Sequence, residues 1–358
     1  MTEKKHSKKS LLSPHGRIDA AVRFRAPDIV PLRIYPAPGG LFEHGRNLVD
    51  LIKECGHDFG DLSSLELPDP PQPEDYDPDG SYHAFRTDPW GTRWEHRIFG
   101  IWGHPIERPL DDLTALDGYE PPVPPSAEGP GFAEAQAQAE KHRETFYLLG
   151  SGDMLFERLR ALRRFEDVLA DLAMDTPEIN RIGDIVTEYM AGCISYALSL
   201  GADAVTIADD FGTQSGLMIS PQIWQRFFRP RYERLFEPVL QAGKKIFFHC
   251  CGDIRLLFSD LKEMGVDVIW PQLPVYDLTE LAAVCRDLEL CIELHPDRGD
   301  LMQKGTPGEI RDYILRLIDI FDTPSGGSWL YLEVDPGFPF ANAESAFKTA
   351  MELREGYH

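Results

Sequence analysis

Hydrophobic and polar positions follow two alternating spacings from about residue 145 onward. Short apolar runs bounded by turn residues predict buried strands, and longer stretches with an apolar residue every three or four positions predict amphipathic helices. The stretch 153–173 shows the helical spacing, and Thr176-Pro177-Glu178 is a typical start for the next helix. The strands predicted in this part of the chain are 145–150, 204–209, 245–251, 266–272, 288–294 and 328–335. Repeated βα units of this kind predict right-handed crossovers and a parallel sheet.

Two earlier apolar segments, 29–35 and 94–101, bring the number of predicted strands close to eight. We therefore expect an α/β fold, a (β/α)8 TIM barrel, as a single domain over 16–358. An open doubly wound sheet is the alternative, although the sequence contains no glycine-rich dinucleotide fingerprint. The lysine-rich residues 1–15 are expected to be a disordered basic tail.

The segment 66–130 differs in composition from the rest of the chain. It is rich in Pro, Asp and Gly, and it contains the aromatic residues Trp90, Trp94 and Trp102. We interpret it as an elaborated N-terminal insertion that lies over one face of the barrel. Its aromatic side chains either line a substrate pocket or anchor a long loop on the barrel.

Net charge, hydropathy and cysteine content indicate which partners and which compartment this protein is expected to have. The formal net charge of −23 argues against a nucleic-acid partner, because phosphates are bound by basic surfaces. No apolar run reaches the length of a membrane span, and no signal peptide is predicted. Six cysteines at irregular spacing do not resemble a disulfide framework, so a reduced, cytoplasmic protein is expected. A homodimer is compatible with this sequence.

Polar side chains collect where the predicted strands end, which is where barrel enzymes place their active sites. Side chains alternate along a strand, so His249 and Cys251 share one face and Cys250 lies on the other, as a core residue. Imidazole and thiolate both suit zinc. A hydrogen-bonded structural role for His249 is the alternative. The further polar residues at predicted strand ends are Ser151, Asp210, Gln214, Gln272, Glu293, His295, Glu333 and Asp335.

The same alternation separates two neighbouring aspartates. Asp209 is predicted to face outward and Asp210 to face inward, which makes Asp210 the better functional candidate, although both could simply cap a turn. In strand 328–335 the inward residues include Tyr331 and Glu333. A carboxylate inside a barrel is unfavourable unless it is paired or binds a metal.

An ordered series of motifs resembles the uroporphyrinogen decarboxylase superfamily across most of the chain outside 66–130. The series comprises Arg25-Ala26-Pro27-Asp28-Ile29-Val30-Pro31, Phe156-Glu157-Arg158, Phe165-Glu166-Asp167-Val168-Leu169, Asp209-Asp210-x-Gly212-x-Gln214, Ile219-Ser220-Pro221, Phe227-x-Arg229-Pro230-Arg231-Tyr232, His249-x-Cys251-Gly252 and Gly305-Thr306-Pro307-x-Glu309-Ile310. The resemblance implies a (β/α)8 barrel.

The superfamily contains cofactor-free decarboxylases and cobamide-dependent methyltransferases. The decarboxylases carry two arginines in an N-terminal segment, and here only Arg33 is retained. The chain is therefore nearer the methyltransferase branch, in which a His-x-Cys pair and a later cysteine hold zinc. His249 and Cys251 match the first two ligands. Glu333 stands near the position of the third, with Asp335 close to it.

A His, Cys and carboxylate set leaves zinc more electrophilic than a sulfur-rich set. The resulting hypothesis is a zinc-dependent methyltransferase of the demethylase type, which moves a methyl group from a small methoxylated or methylated substrate to a corrinoid protein. In this hypothesis Asp210 and His295 orient the substrate or move protons. The residues expected to bind substrate are Ser151, Gln214, Gln272, Tyr331 and Arg298. No Asp-x-His-x-x-Gly motif is present, so cobalamin would arrive on the partner protein.

Two other functions remain open from the sequence. A metal-independent carboxy-lyase would use Arg33, Arg158 or Arg298 to hold an acidic substrate. A non-catalytic binding protein is the third interpretation, which the many polar residues at strand ends disfavour.

Overall fold

The computed structural model describes residues 12–355, which form two compact units. The first unit comprises 12–68, 141–147 and 277–355, and the second comprises 69–140 and 148–276. The strands are β1 (Leu32–Tyr35), β2 (Ala84–Thr87), β3 (Arg93–His96), β4 (His104–Glu107), β5 (Leu149–Ser151), β6 (Ala204–Ala208), β7 (Lys245–Cys250), β8 (Val268–Pro271), β9 (Cys291–Leu294) and β10 (Ser328–Glu333).

Helices follow most of these strands, as the alternating pattern predicts. They are α1 (Pro14–Val22), α2 (Pro38–His44), α3 (Arg46–Cys55), α4 (Phe132–Arg143), α5 (Phe156–Leu162), α6 (Phe165–Met174), α7 (Pro177–Ser199), α8 (Pro221–Ile223), α9 (Arg229–Gln241), α10 (Phe258–Glu263), α11 (Leu278–Asp287), α12 (Asp300–Lys304), α13 (Pro307–Ile320) and α14 (Phe340–Glu355). A π-helical turn, Trp224–Phe228, joins α8 to α9. No helix within 12–355 combines the length and apolarity needed to cross a bilayer.

Parallel pairing dominates both units. In the first unit β10 lies between β1 and β9, and in the second the order is β8-β7-β6-β5. The predicted α/β class with parallel strands is thus confirmed. Strands β9 and β10 are buried along nearly their whole length, as expected for parallel strands covered on both faces.

One predicted barrel strand is wrong. The segment 94–101 was expected to join the parallel sheet, but β3 pairs antiparallel with β2 and β4 in a separate three-stranded sheet. All four residues of β3 are exposed or half-buried, whereas a barrel strand must be covered on both faces. Seven of the described strands therefore pair in parallel, one fewer than the eight expected.

Helix starts agree with the capping signals in the sequence. Thr176 caps α7 by accepting a hydrogen bond from the Ile179 N–H, and Pro177 occupies the first turn. At the start of α13, Thr306 and Glu309 form a reciprocal capping box. Helix α1 begins at Pro14, so the predicted tail ends earlier than residue 15, and its residues 1–11 lie outside the described part of the chain.

Candidate functional site

The candidate site is built where β6 and β7 end in the second unit. Strand β7 is apolar and buried at Ile246, Phe247 and Phe248, which anchors its backbone in the core. Strands β6 and β7 pair in parallel with Ala208 opposite His249. The residues that follow Ala208 and His249 therefore leave the same edge of the sheet together.

Three potential metal ligands meet at this edge. The His249 Nε2 lies 3.5 Å from the Cys251 Sγ and 3.7 Å from the Asp210 Oδ1. One ligand atom from each residue lies within 4.8 Å of the others, and within 12–355 this is the only such group of three or more His, Cys, Asp and Glu side chains. The predicted same-face placement of His249 and Cys251 is confirmed.

The triad fits a zinc ion in donor type and spacing. Zinc bonds of about 2.0–2.3 Å arranged tetrahedrally place neighbouring ligand atoms roughly 3.3–3.8 Å apart. The spacings from the His249 Nε2 are close to that range. His249 donates from Nδ1 to the Trp270 carbonyl at 2.8 Å, so its Nε2 is the nitrogen left to bind a metal. The nitrogen, sulfur and oxygen donors together suit zinc.

The two loops that carry Asp210 and Cys251 are joined through their main chains. The Cys251 N–H donates to the Asp210 Oδ1 at 2.8 Å, and the Gly212 N–H donates to the Cys251 carbonyl at 3.1 Å. A side chain at Gly212 would lie 2.5 Å from backbone atoms of Cys251 and Gly252. Gly252 has a φ of +75°, which favours glycine. Both loops therefore require glycine at their point of contact.

Gln272, predicted to bind substrate, supports the same loop. Its Oε1 accepts a hydrogen bond from the Gly252 N–H at 3.0 Å. Tyr276 contributes similarly, since its hydroxyl donates to the Gly252 carbonyl and accepts from the Ile254 N–H, both at 2.9 Å. In this structure Gln272 holds the turn that presents Cys251.

Asp209 and Asp210 have separate environments, as the alternation along β6 predicts. Asp209 is fully buried and accepts the backbone N–H groups of Leu155, Phe156 and Glu157 at 2.7–2.9 Å, as well as the Tyr232 hydroxyl. Burial raises the pKa of Asp209 to about 6, although these hydrogen bonds favour the ionised form. Asp209 is thus a structural cap for α5, and Asp210 is left to the site.

A cavity of about 540 Å³ opens beside the triad. Asp210 and His249 line it, together with residues from the three-stranded sheet and from α5. Trp94 and Trp102 also line it, in an edge-to-face pair with ring centroids 5.4 Å apart. The tryptophans of 66–130 were expected either to line a pocket or to anchor a loop, and Trp94 and Trp102 line a cavity. Its remaining lining residues are Gly103, His104, Pro105, Arg108, Met154, Glu157, Arg158, Arg160, Ala161, Phe165 and Ala208.

Glu157 is a titratable residue of the cavity that the sequence did not single out for chemistry. Burial raises its pKa from 4.5 to about 7, while the ion pair with Arg160 lowers it and the charges of Asp209 and Asp210 raise it. A carboxyl group with such a pKa can hold or release a proton near neutral pH. Glu157 was visible only as part of the Phe156-Glu157-Arg158 motif.

Two other predicted substrate residues of the second unit lie at the surface. The exposed Ser151 accepts a hydrogen bond from the Asp153 N–H at 3.3 Å through its hydroxyl, and Gln214 is exposed in the loop after Gly212. Neither lines the cavity. Their roles in substrate binding stay predictions.

The remaining predicted residues belong to the first unit. The Glu333 carboxylate accepts the Tyr331 hydroxyl at 2.7 Å and pairs with Arg298 at 2.8 Å, and Arg298 also pairs with Asp335 at 2.7 Å. Burial raises the pKa of Glu333, and the Arg298 charge opposes this. The carboxylate found beside His249 and Cys251 is thus Asp210, predicted as a catalytic residue, while the ligand role of Glu333 stays a prediction.

His295 and the arginine considered for acid binding are also placed in the first unit. His295 is buried, and its Nδ1 donates to the Pro296 carbonyl at 2.9 Å. Arg33 pairs with the buried Glu293 at 2.7 Å, and the Trp329 Nε1 donates to the same carboxylate at 3.0 Å. The predicted inward carboxylate Glu293 is therefore charge-compensated, as burial requires.

Comparison with known proteins identifies the family. The profile described as Uroporphyrinogen decarboxylase (URO-D) matches residues 106–328, more than half of the chain. Uroporphyrinogen decarboxylases from two strains of Thermus thermophilus are each 27% identical over 173 residues, which cover 47% of this chain and 49% of the relative. The chain thus spans about half the length of the curated relatives it matches.

A solved structure shares the fold over nearly the whole chain. It is a methyltransferase from Methanosarcina mazei, with a TM-score of 0.61 and 15% identity over 95% of this chain and 99% of that one. At this identity the likeness shows the fold alone. The family profile agrees with the motif series read from the sequence, and the chain belongs to the uroporphyrinogen decarboxylase family.

Proposed function

We propose that this protein is a zinc-dependent methyltransferase of the demethylase type, which moves a methyl group from a small methoxylated or methylated substrate to a corrinoid protein. The observation that carries the proposal is the nitrogen, sulfur and oxygen triad of His249, Cys251 and Asp210 at the wall of a cavity of about 540 Å³. A cavity of this size suits one small organic molecule. The fold shared with a methyltransferase supports the same assignment.

His249, Cys251 and Asp210 would hold the zinc ion. Zinc in such a site supplies a Lewis acid that polarises an oxygen, and the carboxylate ligand keeps it more electrophilic than a second thiolate would. Trp270 fixes the imidazole of His249 through its carbonyl, and Gln272 fixes the turn of Cys251. These contacts orient the ligands before any substrate arrives.

The chemistry of methyl removal assigns a role to Glu157. When the carbon–oxygen bond of a methyl ether breaks, the oxygen keeps the bonding electron pair and needs a proton. Glu157 lines the cavity and is protonated in part at neutral pH, because burial raises its pKa to about 7. It can therefore supply that proton, and the corrinoid of the partner protein receives the methyl group.

The test is methyl transfer from methoxylated donors to a reduced corrinoid protein, with zinc measured in the same preparations. We expect transfer by the wild-type protein and at least a 100-fold lower rate in His249→Ala and Cys251→Ala. Cys250→Ala is a matched control, since Cys250 is buried on the opposite face of β7 and its Sγ accepts the Phe211 N–H. Equal rates in His249→Ala and the wild type would refute the metal-dependent reaction.

A metal-independent carboxy-lyase is the second candidate. The observation that favours it is the set of arginines that line the cavity, Arg108, Arg158 and Arg160, because arginine binds carboxylates well. The lyase reaction releases carbon dioxide, which the methyl-transfer reaction does not. Release of carbon dioxide from an acidic substrate by metal-free protein, with no methyl transfer, would support the lyase and exclude the methyltransferase.

A further inference from the structure

Arg108 differs from the other charged residues of the cavity. It lines the cavity and is half-buried, and its Nε donates to the Arg160 carbonyl at 3.2 Å. This contact orients the guanidinium group but supplies no negative charge. The exposed Glu166, which pairs with Arg164, acts on Arg108 only through a weaker charge interaction. Within residues 12–355 no carboxylate lies within ion-pair distance of Arg108. A bound anion would supply the missing partner.

The two other cavity arginines already have acidic partners. Arg158 pairs with Asp88 at 3.0 Å and with Asp153 at 3.7 Å, and Arg160 pairs with Glu157. Their charges are compensated within the protein, so they attract a further anion less strongly than Arg108 does. This contrast singles out Arg108 as the anion-binding group of the cavity.

The acidic net charge of the protein makes a positive charge at Arg108 unusual for its surroundings. The chain carries a formal net charge of −23, and a protein of such charge repels anions at long range. An anionic substrate can bind only where a fixed cation offsets this repulsion at close range. Arg108 is half-buried, and within residues 12–355 its guanidinium makes one hydrogen bond, from Nε. Its two terminal nitrogens can therefore provide that offset, and their fork matches the two oxygens of a carboxylate.

The cavity also presents aromatic surface. Trp94 is half-buried and donates from Nε1 to the Asp88 Oδ2 at 3.1 Å, which fixes its ring. Trp102 packs edge-to-face against it, yet is 71% exposed. An exposed tryptophan beside a cavity leaves a ring face open for a planar apolar ligand. Phe165 and Met154 line the same cavity.

From the positions of Arg108, Trp94 and Trp102 we infer that the methyl donor is an aromatic carboxylate. Its carboxylate would bind the Arg108 guanidinium, its ring would pack against the tryptophans, and its methoxy group would face Asp210 and His249 in the same cavity. This inference rests on the proposed methyl-transfer function, and it adds the chemical class of the donor.

The experiment measures binding without a corrinoid, so that it is independent of catalysis. 4-Methoxybenzoate and its uncharged isostere 4-methoxybenzamide are titrated into the purified protein, and tryptophan fluorescence and calorimetry report the dissociation constants. We expect the acid to bind roughly 10- to 100-fold more tightly than the amide, as for a charge-assisted hydrogen-bonded pair. Arg108→Met should abolish this preference while leaving amide binding unchanged, and Arg108→Lys should restore part of it.

Arg311→Met serves as the matched control, because Arg311 is an exposed arginine of α13 that pairs with Glu352 at 3.0 Å. Equal affinity for acid and amide, or no saturable binding of the acid up to about 10 mM, would overturn the inference. So would a loss of acid binding in Arg311→Met as large as in Arg108→Met. Acid binding that requires Arg108, without methyl transfer, would refute the proposed function and leave only the carboxylate-binding role of Arg108. Methyl transfer from uncharged donors alone would refute this inference and leave the proposed function intact.

Discussion

The Asp210 carboxylate accepts the Cys251 backbone N–H at 2.8 Å, which ties the loop after β6 to the loop after β7. The same Oδ1 lies 3.7 Å from the His249 Nε2. One carboxylate thus organises the loop and completes the set of potential metal ligands. Metal binding and loop conformation are therefore expected to depend on each other.

Removal of any triad residue should weaken zinc binding. We expect His249→Ala, Cys251→Ala and Asp210→Ala each to lower zinc affinity at least 10-fold, because a three-residue site loses a third of its donors. The measurement is zinc content after dialysis, together with the absorption of the cobalt(II)-substituted protein. The thiolate charge-transfer band should disappear in Cys251→Ala and persist in Asp210→Ala.

Glu333→Ala tests the ligand role that the sequence predicts for Glu333. If zinc affinity falls in this variant as far as in Asp210→Ala, Glu333 belongs to the ligand set as the sequence predicted. An unchanged zinc affinity would leave Glu333 as the partner of Arg298 and Tyr331.

The neighbouring aspartates should respond oppositely to truncation. Asp209→Ala removes the acceptor of three backbone N–H groups at the start of α5, so we expect the free energy of unfolding to fall by roughly 3 kcal/mol. Asp210→Ala should change that free energy by only about 1 kcal/mol and reduce zinc binding instead. Urea unfolding and zinc titration on both variants separate the two roles. Equal destabilisation by both substitutions would contradict the assignment.

The alternation of side chains explains why this pair was separable from the sequence. A strand has a period of two, so the inward position of Asp210 and the shared face of His249 and Cys251 followed from counting residues. Their proximity did not, because it depends on the register of β6 against β7. Arg108 was missed because it follows a strand in a proline-rich segment without periodicity, and the distances from its guanidinium to acidic side chains are visible only in three dimensions.

The prediction that 94–101 joins the parallel sheet was wrong because strand pairing, like the proximity of Asp210 to His249, depends on tertiary structure. Its residues include Trp94, Ile98 and Ile101, and this apolar content resembles that of a buried strand. In the structure Ile98 is 52% exposed, and the strand ends at His96. Local composition does not reveal which partner strands cover a segment, and that coverage distinguishes a barrel strand from a small surface sheet.

Gly212→Ala should disturb the site without touching a ligand. A methyl group there would lie 2.5 Å from backbone atoms, so the loops must separate, with an expected loss of about 1–3 kcal/mol in unfolding free energy. Zinc affinity should fall with it. Gly308→Ala is the control, since a side chain at Gly308 meets no atom within 4 Å and helix α13 favours alanine. Unchanged zinc binding in Gly212→Ala would contradict the coupling of the two loops.

Glu157 should make stability depend on pH. In the folded protein its pKa is about 7, above the ordinary value of 4.5, so the folded state binds more protons between these pH values. The stabilising contribution of the protonated group is therefore lost as pH rises from about 4.5 to about 7. Glu157→Gln should raise the thermal midpoint at pH 8 relative to the wild type more than it does at pH 5. A constant difference across this range would show that Glu157 does not titrate there.

The backbone contact between Gly212 and Gly252 bears on how the metal-binding side chains of such a site can change between related proteins. The close approach of the paired loops depends on main-chain atoms, whereas the side chain of residue 210 supplies both the donor beside His249 and Cys251 and the acceptor for the Cys251 N–H. Exchange of Asp210 for histidine or cysteine would present a softer donor from the same turn. A single substitution at position 210 would therefore change the metal preference and the hydrogen bond to the Cys251 N–H together, while the glycine contact between the loops stays the same.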